Sequence, residues 1–416
     1  MQRLLITILL PVTLLPLSYC KKGDSGSGSS GPVPTSTGTP VGTMETHTID
    51  ATGGSFASFD SSVVVIVPAG AVTASTNFGL QEVSNTCSAG IGKSFALTPH
   101  GTIFQKPVSI RFSFAGLEEV NVPEALSIAY QDKDGIWRMV NGANVDKVHK
   151  TVTIQTTHLS NWSMLQWFKL KPVSAVLKPG ESIQLKVISF IDLAPDDLLT
   201  PLLPSNSSEA GLGAGHVVSA SYVKKWSVGG VGSIQPNGAT CTYTAPASVD
   251  GVATVAVVAE LASSYQQLLL ISNITIINDG VVFRINGGNW RFLSALATYL
   301  DDTQFSITNG RADSTFSILW PGGAGAFSWN GQPTQGGSTI VQFSTNSPRI
   351  LYQSEYTDDQ GELRQSGGSL KIDMLGNPGD YVSGSFTANP CAVVDGNGNE
   401  TGRTSITGYF RLKRLR

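Results

Sequence analysis

The stretch FQKPVSIRF, residues 104–112, indicates the fold class of this chain most clearly. Its second half alternates, with Val108, Ile110 and Phe112 separated by polar residues. Because successive side chains of a strand point to opposite faces, this pattern is typical of a strand with one buried face. Short alternating runs bounded by Gly, Pro, Asn and Asp recur along the chain, and long helical periodicity is hard to find. The sequence therefore predicts an all-β fold.

Length and charge bound the number of domains and exclude one class of partner. The chain has 416 residues, with 27 Lys and Arg against 30 Asp and Glu, so its formal net charge is −3. On the usual size of domains, this length predicts about two to four of them. Charged residues make up only 14% of the chain, and nucleic-acid recognition needs clustered Lys and Arg. We therefore expect no nucleic-acid partner.

The first 19 residues have the pattern of an export signal. A short basic beginning, residues 1–3, precedes an apolar run over residues 4–17 that two prolines interrupt. A stable membrane span needs about 20 apolar residues. Residues 1–19 are therefore predicted to be a signal peptide rather than a transmembrane helix.

Cys20 ends this signal, within the sequence LSYC at residues 17–20. A signal that stops on a cysteine and continues into a polar segment resembles a bacterial lipoprotein, although Tyr19 stands where small residues are usual. The resemblance implies that Cys20 carries acyl chains, such as palmitate, and anchors the mature chain in a membrane. Lys21, which follows in place of Asp, implies the outer membrane. Whether the protein faces the periplasm or the cell surface stays open.

Residues 20–44 are predicted to form a flexible linker behind the lipid. The segment is rich in Gly, Ser, Pro and Thr and has almost no apolar side chains, so burial cannot offset the entropy of ordering it. Gly/Ser-rich chains behave as flexible coils. The linker would therefore hold the folded part away from the membrane.

Three motifs in residues 45–168 occur in the order of a known domain. They are GG at 53–54, IVPAGA at 66–71, and LTPHG at 97–101 followed by the alternating strand at 104–112. Together they resemble a ZU5 domain. The resemblance implies a β-sandwich that serves as an interaction or scaffold module.

The tripeptide His158-Leu159-Ser160 near the end of this domain carries the only candidate chemistry. Some ZU5-containing domains cut themselves at such a tripeptide. The resemblance implies that the Ser160 hydroxyl would attack the carbonyl of Leu159, with His158 as the proton acceptor, and such a step needs backbone strain. The alternative is that this His-x-Ser sequence only stabilises the end of a strand by hydrogen bonds. Both interpretations stay open.

Residues 169–279 contain KPGESIQL at 178–185, WSV at 226–228 and YTAP at 243–246. These motifs resemble a bacterial immunoglobulin-like domain, which implies a second β-sandwich with Trp226 in its core. An insert over residues 193–216 is longer than a sandwich loop needs. We expect it to pack a short helix on the sandwich; the alternative is a contact surface of exposed leucines.

Residues 280–416 are predicted to be a third β-domain. An alternating run ends in Asn286-Gly287, which is a strong hairpin signal. The segments VSGSFTA at 382–388 and ITGYFRL at 406–412 resemble C-terminal domains of envelope lipoproteins, which implies a fold and no chemistry. The loop at residues 395–400 resembles half a calcium loop, but we interpret it as a hairpin tip.

Metal and cofactor sites are not predicted. The chain has no CxxC or HxxxH spacing, which argues against zinc. Cys87, Cys241 and Cys391 are widely separated and are interpreted as small buried hydrophobic residues. Their spacing does not specify a disulfide.

The predicted function is non-enzymatic: a lipid-anchored cell-envelope protein that acts in adhesion, scaffolding or ligand binding through tandem β-sandwich domains. Its partners would be the membrane, through the lipid, and an envelope protein or glycan. A hydrolase is disfavoured because no converging pair of carboxylates can be identified. The alternative is a surface glycan-binding protein, with Trp290, Trp320 and Trp329 near predicted loops as stacking residues.

Overall fold

The computed structural model describes residues 31–117, 119–194, 197–203, 207–263, 267–301, 304–310, 313–334 and 337–415. Strands dominate these residues, and the helices among them are the three-residue 3-10 turns Pro123–Ala125 and Ala220–Tyr222. The all-β prediction is confirmed. No helix within these ranges has the length and apolar character to cross a membrane. Cys20 and the predicted signal peptide lie outside the described residues.

The first module is a sandwich of two antiparallel sheets. Its strands are β1 Glu45–Ile49, β2 Gly54–Ala57, β3 Val63–Val67, β4 Thr76–Val83, β5 Gly90–Thr98, β6 Ile103–Ser113, β7 Leu126–Gln131, β8 Trp137–Val140, β9 Asn144–Asp146, β10 Thr151–His158 and β11 Asn161–Gln166. One sheet has the order β2-β3-β6-β10-β9, and the other begins β1-β4-β5-β11-β7-β8.

Alternating side chains of both sheets fill the space between them. The apolar positions of β6, Val108, Ile110 and Phe112, are buried as their pattern predicts. They pack in one cluster with residues of the facing sheet, including Phe95 and Trp162. Removing apolar surface from water contributes about 25 cal/mol per Å², so this shared core is the main stabilising feature of the module.

The second module is also a two-sheet sandwich. Its strands are β12 Phe168–Lys171, β13 Ser174–Leu177, β14 Ser182–Ser189, β15 Leu193–Ala194, β16 Asp197–Pro201, β17 Glu209–Gly211, β18 His216–Val217, β19 Val223–Gly229, β20 Ser233–Asn237, β21 Thr240–Thr244, β22 Ala253–Leu261 and β23 Leu268–Ile276. The sheets have the orders β12-β14-β21-β20 and β13-β23-β22-β19. Trp226 is buried in the core, and its Nε1 donates a hydrogen bond to the carbonyl of Gly238 at 2.9 Å.

The insert of the second module contains strands in its described residues, so the expectation of a short helix is wrong. Strand β17 pairs with β8 and becomes the seventh strand of a sheet in the first module. Leu198 and Leu212 of the insert are buried in one cluster with Trp137 of the first module and Phe190 of the second. The two modules therefore share a continuous apolar core.

The predicted linker is ordered over its second half. The amide of Val33 donates to the carbonyl of Leu212 at 3.2 Å, that of Thr35 to Gly135 at 2.9 Å, and that of Val41 to Glu82 at 2.8 Å. These bonds give partners to backbone carbonyls elsewhere in the fold, and the composition of the segment does not predict them. Residues 33–41 are therefore a strap along the first module, and the expectation of a flexible linker fails for them.

The described part of the third module contains fourteen strands. They are β24 Gly280–Ile285, β25 Arg291–Leu293, β26 Leu296–Asp301, β27 Gln304–Gly310, β28 Ser314–Trp320, β29 Gly325–Ser328, β30 Asn330–Thr334, β31 Gly337–Asn346, β32 Arg349–Gln353, β33 Glu355–Thr357, β34 Leu363–Gln365, β35 Gly367–Leu375, β36 Tyr381–Asp395 and β37 Glu400–Lys413. Most belong to one sheet with the path β25-β24-β37-β36-β32-β31-β28-β27-β26.

This sheet curls until its edge strand β26 meets the end of β37, the third strand from the opposite edge. Ala297 in β26 bridges to Arg414, directly after β37, and accepts a backbone hydrogen bond from Leu415 at 2.9 Å. Buried side chains from nine of these strands form a single core inside the curl. The third module is therefore one curled sheet rather than another two-sheet sandwich, which sequence alternation alone could not distinguish.

Two predicted turns of the third module are confirmed. Asn286 and Gly287 have φ values of 48° and 68°, and they join the paired strands β24 and β25. Asp395 accepts hydrogen bonds from the amides of Asn397 and Asn399, both at 2.9 Å, which closes the hairpin between β36 and β37. The loop that resembled half a calcium site is thus a hairpin tip.

The three cysteines of the described chain are buried and unpaired. Burial raises the pKa of the Cys87 thiol to about 12 and that of Cys391 to about 11. Both thiols are therefore protonated at neutral pH, in agreement with their interpretation as small hydrophobic residues.

Candidate binding cleft between the first and third modules

A cavity of about 680 Å³ lies between the first and third modules, and we call it the inter-module cleft. Strands β4 and β5 with their neighbouring loops form one wall, and β29, β35 and β36 contribute to the other. Ligand pockets of proteins commonly have volumes of about 300–1,000 Å³. The inter-module cleft is therefore large enough to hold a small molecule.

Lys93 is the central charged residue of the first wall. Its ammonium lies 2.8 Å from a carboxylate oxygen of Asp60 and 2.7 Å from one of Glu82. Burial alone would raise the pKa of Asp60, but the Lys93 charge lowers it to about 2. Burial acts to lower the pKa of Lys93, and the two carboxylates reverse this and raise it. Asp60 and Lys93 are thus both charged at neutral pH.

The third-module wall is a row of hydroxyl groups beside a lysine. Ser369 pairs with Thr387 across β35 and β36, and Lys371 pairs with Ser385. Strand alternation directs these polar residues to one face, while their neighbour Phe386 is buried in the module core. The face that presents the hydroxyls is therefore the outer face of the curled sheet.

Two polar contacts cross from one wall to the other. The Ser328 hydroxyl donates to Glu82 at 2.8 Å, and the Lys371 ammonium lies 3.2 Å from a carboxylate oxygen of Glu119. Lys371 also lies 3.8 Å from Asp373 within its own module. The partners in these crossing contacts are far apart in the chain, by 246 positions for Ser328 and Glu82, so the walls exist only in the folded protein.

The second module holds the third one in place through a buried arginine. The side chain of Arg411 is 2% exposed, and its guanidinium donates to Glu181 at 2.8 Å and to Asp279. It also stacks on the ring of Tyr381 at 3.7 Å. Because Glu181 belongs to the second module, this cluster fixes how the two modules sit on each other.

A second contact between these modules lies closer to the cleft. The hydroxyl of Ser174 in the second module donates to Asp373 of the third at 2.6 Å. Burial raises the pKa of Asp373, against the lowering effect of Lys371. Since the first two modules share a core, the second module links both walls of the inter-module cleft.

The predicted stacking tryptophans differ in exposure. Trp320 is fully buried and stacks on Phe305 with ring centroids 4.9 Å apart. Trp329 is buried as well, and its Nε1 donates to the carbonyl of Thr387 at 2.7 Å. Both belong to the core, so the expectation that they stack on a ligand is wrong. Trp290 is 36% exposed and remains a candidate contact residue.

The structure separates the members of the predicted self-cleavage tripeptide. The Ser160 hydroxyl donates to the carbonyl of Gln131, and the Nδ1 of His158 lies 3.1 Å from the Thr156 hydroxyl. No hydrogen bond joins His158 to Ser160 among the described residues. Leu159 is buried, and its carbonyl accepts a long hydrogen bond of 3.4 Å from the amide of Gly101.

The imidazole of His158 lies in an aromatic environment. Its ring packs against Tyr130 and Trp162, with centroids 4.5 and 5.4 Å away. Burial lowers the pKa of His158, so the ring is neutral at physiological pH. Its Nε2 is buried and has no hydrogen-bond partner in the described part of the chain. This arrangement matches a packed histidine at a strand end.

We expect the purified mature protein to stay intact at the Leu159–Ser160 bond, because the Ser160 hydroxyl is directed away from His158. A denaturing gel and an intact mass after prolonged incubation would measure this. Ser160→Ala is the matched control and should give the same single species. A fragment that begins at Ser160 in the wild type and is absent from the variant would contradict the expectation.

Replacing Lys93 by Met is expected to lower the free energy of unfolding at pH 7 by about 1 kcal/mol, because Asp60 and Glu82 lose their counter-charge. Lys93 holds the folded-state pKa of Asp60 near 2, below its unfolded value. That stabilisation is present above about pH 4 and is lost as the pH falls toward 2. The difference between wild type and variant should therefore shrink over this window.

Urea denaturation at pH 7, 4 and 2.5 measures this effect. Lys133→Met is the control, since Lys133 pairs with Asp134 on the surface and should change stability by less than about 0.5 kcal/mol at each pH. A constant difference between Lys93→Met and wild type across the three pH values would refute the role of the Lys93 pair.

Local sequence patterns do not identify the residues of the inter-module cleft. Asp60, Glu82 and Lys93 lie on a turn and two strands, and Lys371 and Ser385 lie far along the chain. Apart from Asp60, each occupies a polar position of an ordinary alternating pattern, which is typical of solvent-facing residues. The only local signal is that most of them are charged, in a chain with few charges.

Comparisons with known proteins do not assign the chain to a family. No protein-family model matches it, and no curated protein matches it. Within the described residues, no group of three or more His, Cys, Asp or Glu is arranged to hold a metal ion.

Proposed function

We propose that this protein is a non-enzymatic, lipid-anchored protein of the cell envelope that binds a ligand in the inter-module cleft. The single observation that supports ligand binding is the cavity of about 680 Å³ between the two modules. Anchoring in the outer membrane through Cys20 is part of the proposal and rests on the sequence LSYC and the signal before it. The ZU5-like and immunoglobulin-like assignments rest on the quoted motifs.

The charges of the inter-module cleft favour binding over catalysis. A general acid needs a raised pKa to hold its proton at neutral pH. The pKa of Asp60 is lowered instead, and the Lys93 ammonium bridges Asp60 and Glu82. Asp373 does not line the cleft but lies 3.8 Å from its lining residue Lys371; its pKa is raised, and it is engaged by Ser174 and Lys371. These carboxylates serve as fixed acceptors and counter-ions.

Blocking the inter-module cleft should abolish ligand-dependent stabilisation. We propose measuring the melting temperature with small-molecule fractions extracted from bacterial envelopes, for the wild type and for Ser385→Trp, which fills the cleft. Thr407→Trp is the control, because Thr407 lies on the same face of the sheet, opposite Thr387, outside the cleft lining. A ligand at 100 times its Kd stabilises a protein by about 2.7 kcal/mol.

The expected result is a fraction that raises the melting temperature of the wild type and of Thr407→Trp, and leaves Ser385→Trp unchanged. Equal shifts in all three proteins would show that binding occurs elsewhere. Absence of any shift across the fractions would contradict ligand binding itself. Melting without added fractions establishes that both variants fold.

A second candidate function is glycan binding on the surface around Trp290. Its ring is exposed, with the guanidinium of Arg284 at 4.7 Å and Tyr409 at 5.8 Å. Exposed aromatic rings with polar neighbours can stack on the apolar faces of sugars. Trp290→Ala tests this candidate on a glycan array: loss of a signal that the wild type shows supports it, and an unchanged pattern contradicts it.

A further inference from the structure

The hydroxyl row on the third-module wall makes no hydrogen bond to other described residues and stays accessible from the cleft. Ser369, Ser385 and Thr387 line the inter-module cleft, and within the described residues their hydroxyls make no hydrogen bond. They lie on two adjacent, paired strands, so their spacing is fixed by the ladder of β35 and β36. Each hydroxyl can both donate and accept a hydrogen bond. The wall therefore offers an ordered array of groups with both capacities.

The charged groups of the inter-module cleft are already paired. Lys93 lies between Asp60 and Glu82, and Lys371 lies beside Glu119 and 3.8 Å from Asp373. A charged ligand would have to compete with one of these ion pairs, and leaving a partly buried charge unpaired is costly. A neutral ligand can use the carboxylates as additional acceptors without displacing the lysines.

Apolar residues line the cleft together with these polar groups. Leu117 of the first module and Pro321 and Ala326 of the third are among its lining residues. Saccharides present hydroxyl groups at their rims and C–H groups on their ring faces. They match a site that combines a few fixed polar groups with apolar walls.

We propose that the inter-module cleft binds a neutral, hydroxyl-rich ligand of the saccharide class, recognised by the hydroxyls of Ser369, Ser385 and Thr387. This inference rests on the proposed function, because it assumes that the cleft is a binding site. It goes beyond that function by assigning the chemical class of the ligand and the residues that recognise the ligand. It also places glycan recognition at the cleft rather than at the exposed tryptophan.

The test is an array of neutral and acidic glycans probed with the full mature chain and three variants. The first is the triple variant Ser369→Ala/Ser385→Ala/Thr387→Val, which removes the hydroxyls with little change of volume. The second is Thr407→Val/Ser405→Ala, which removes two hydroxyls from the next strand, outside the cleft lining. The third is Trp290→Ala.

We expect neutral glycans to bind the wild type, the β37 variant and Trp290→Ala. The triple variant should bind them at least about tenfold more weakly, since three hydrogen bonds to the ligand are lost. Titration of a neutral hit should give a Kd that changes less than about twofold between low and high salt, because no ligand charge is screened.

Three results would overturn the inference. Binding of acidic glycans alone, lost in the triple variant, would leave the cleft as a ligand site and refute the neutral ligand class. Neutral binding that survives the triple variant but is lost in Trp290→Ala would move recognition to the Trp290 surface. No glycan binding at all would refute the saccharide class, while the stabilisation by envelope fractions described above still decides whether the cleft binds anything.

Discussion

Replacing Trp320 by Ala is expected to lower the free energy of unfolding by about 3–5 kcal/mol. The side chain is fully buried in the core of the third module, inside the curl of the sheet. Its ring stacks on Phe305 at 4.9 Å, and its Nε1 donates to the carbonyl of Gly323 at 3.4 Å. Truncation removes these contacts and leaves a cavity that the curled sheet cannot close without bending.

Urea denaturation of wild type and variant measures the Trp320 effect. Trp290→Ala is the matched control, because it removes the same side chain from a partly exposed position; it should destabilise by less than about 1 kcal/mol. A loss in Trp320→Ala no larger than that in Trp290→Ala would contradict the assignment of Trp320 to the core. The comparison separates a structural tryptophan from a surface one within a single module.

Replacing Arg411 by Ala is expected to lower the free energy of unfolding by about 2–3 kcal/mol and to loosen the third module from the second. Removing one partner of a buried ion pair is strongly destabilising. The partners here, Glu181 and Asp279, are partly exposed, so the loss should fall below the value for fully buried pairs. The contact with Tyr381 is lost at the same time.

Two measurements check the Arg411 prediction. Urea denaturation gives the loss of stability, and limited proteolysis should cleave between the modules, near residues 277–280, several times faster than in the wild type. Arg403→Ala is the control: Arg403 pairs with Asp359 and Glu400 but is 38% exposed, so its loss should be less than about 1 kcal/mol.

A second variant keeps the Arg411 prediction falsifiable. Arg411→Met retains a long apolar side chain over Tyr381 and removes only the charge. If it matched the wild type in stability and in cleavage rate, the ion pairs with Glu181 and Asp279 would not hold the modules together. An intermediate loss is the expected result.

Local sequence patterns predicted much of this structure. The alternation of β6 correctly identified its buried residues, Asn286-Gly287 correctly identified a hairpin, and Trp226 lies in the core as its motif implied. Local patterns did not predict the features that depend on contacts between residues far apart in the chain. Nothing local shows that β17 pairs with β8 of another module, or that residues 33–41 bind along the first module.

The tryptophans of the third module also show that local patterns do not determine burial. A tryptophan beside turn residues is compatible with exposure and with burial, and only the course of the curled sheet places Trp320 inside and Trp290 outside. Trp320 and Trp329, which local patterns suggested as site residues, are accordingly core residues. The residues of the inter-module cleft were missed because its charged and hydroxyl residues are ordinary polar positions on strands and turns.

Side-chain alternation and turn chemistry act over a few residues, and they were enough to establish the all-β class and the position of many strands and turns. Only long-range packing decided three further features. The third module is one curled sheet, the first two modules share a core, and Lys93 and Ser385 face one cavity. These features depend on contacts between distant residues, such as Glu82 with Ser328, which lie 246 positions apart. Such contacts leave no periodicity in the chain, since each partner satisfies only its own local pattern.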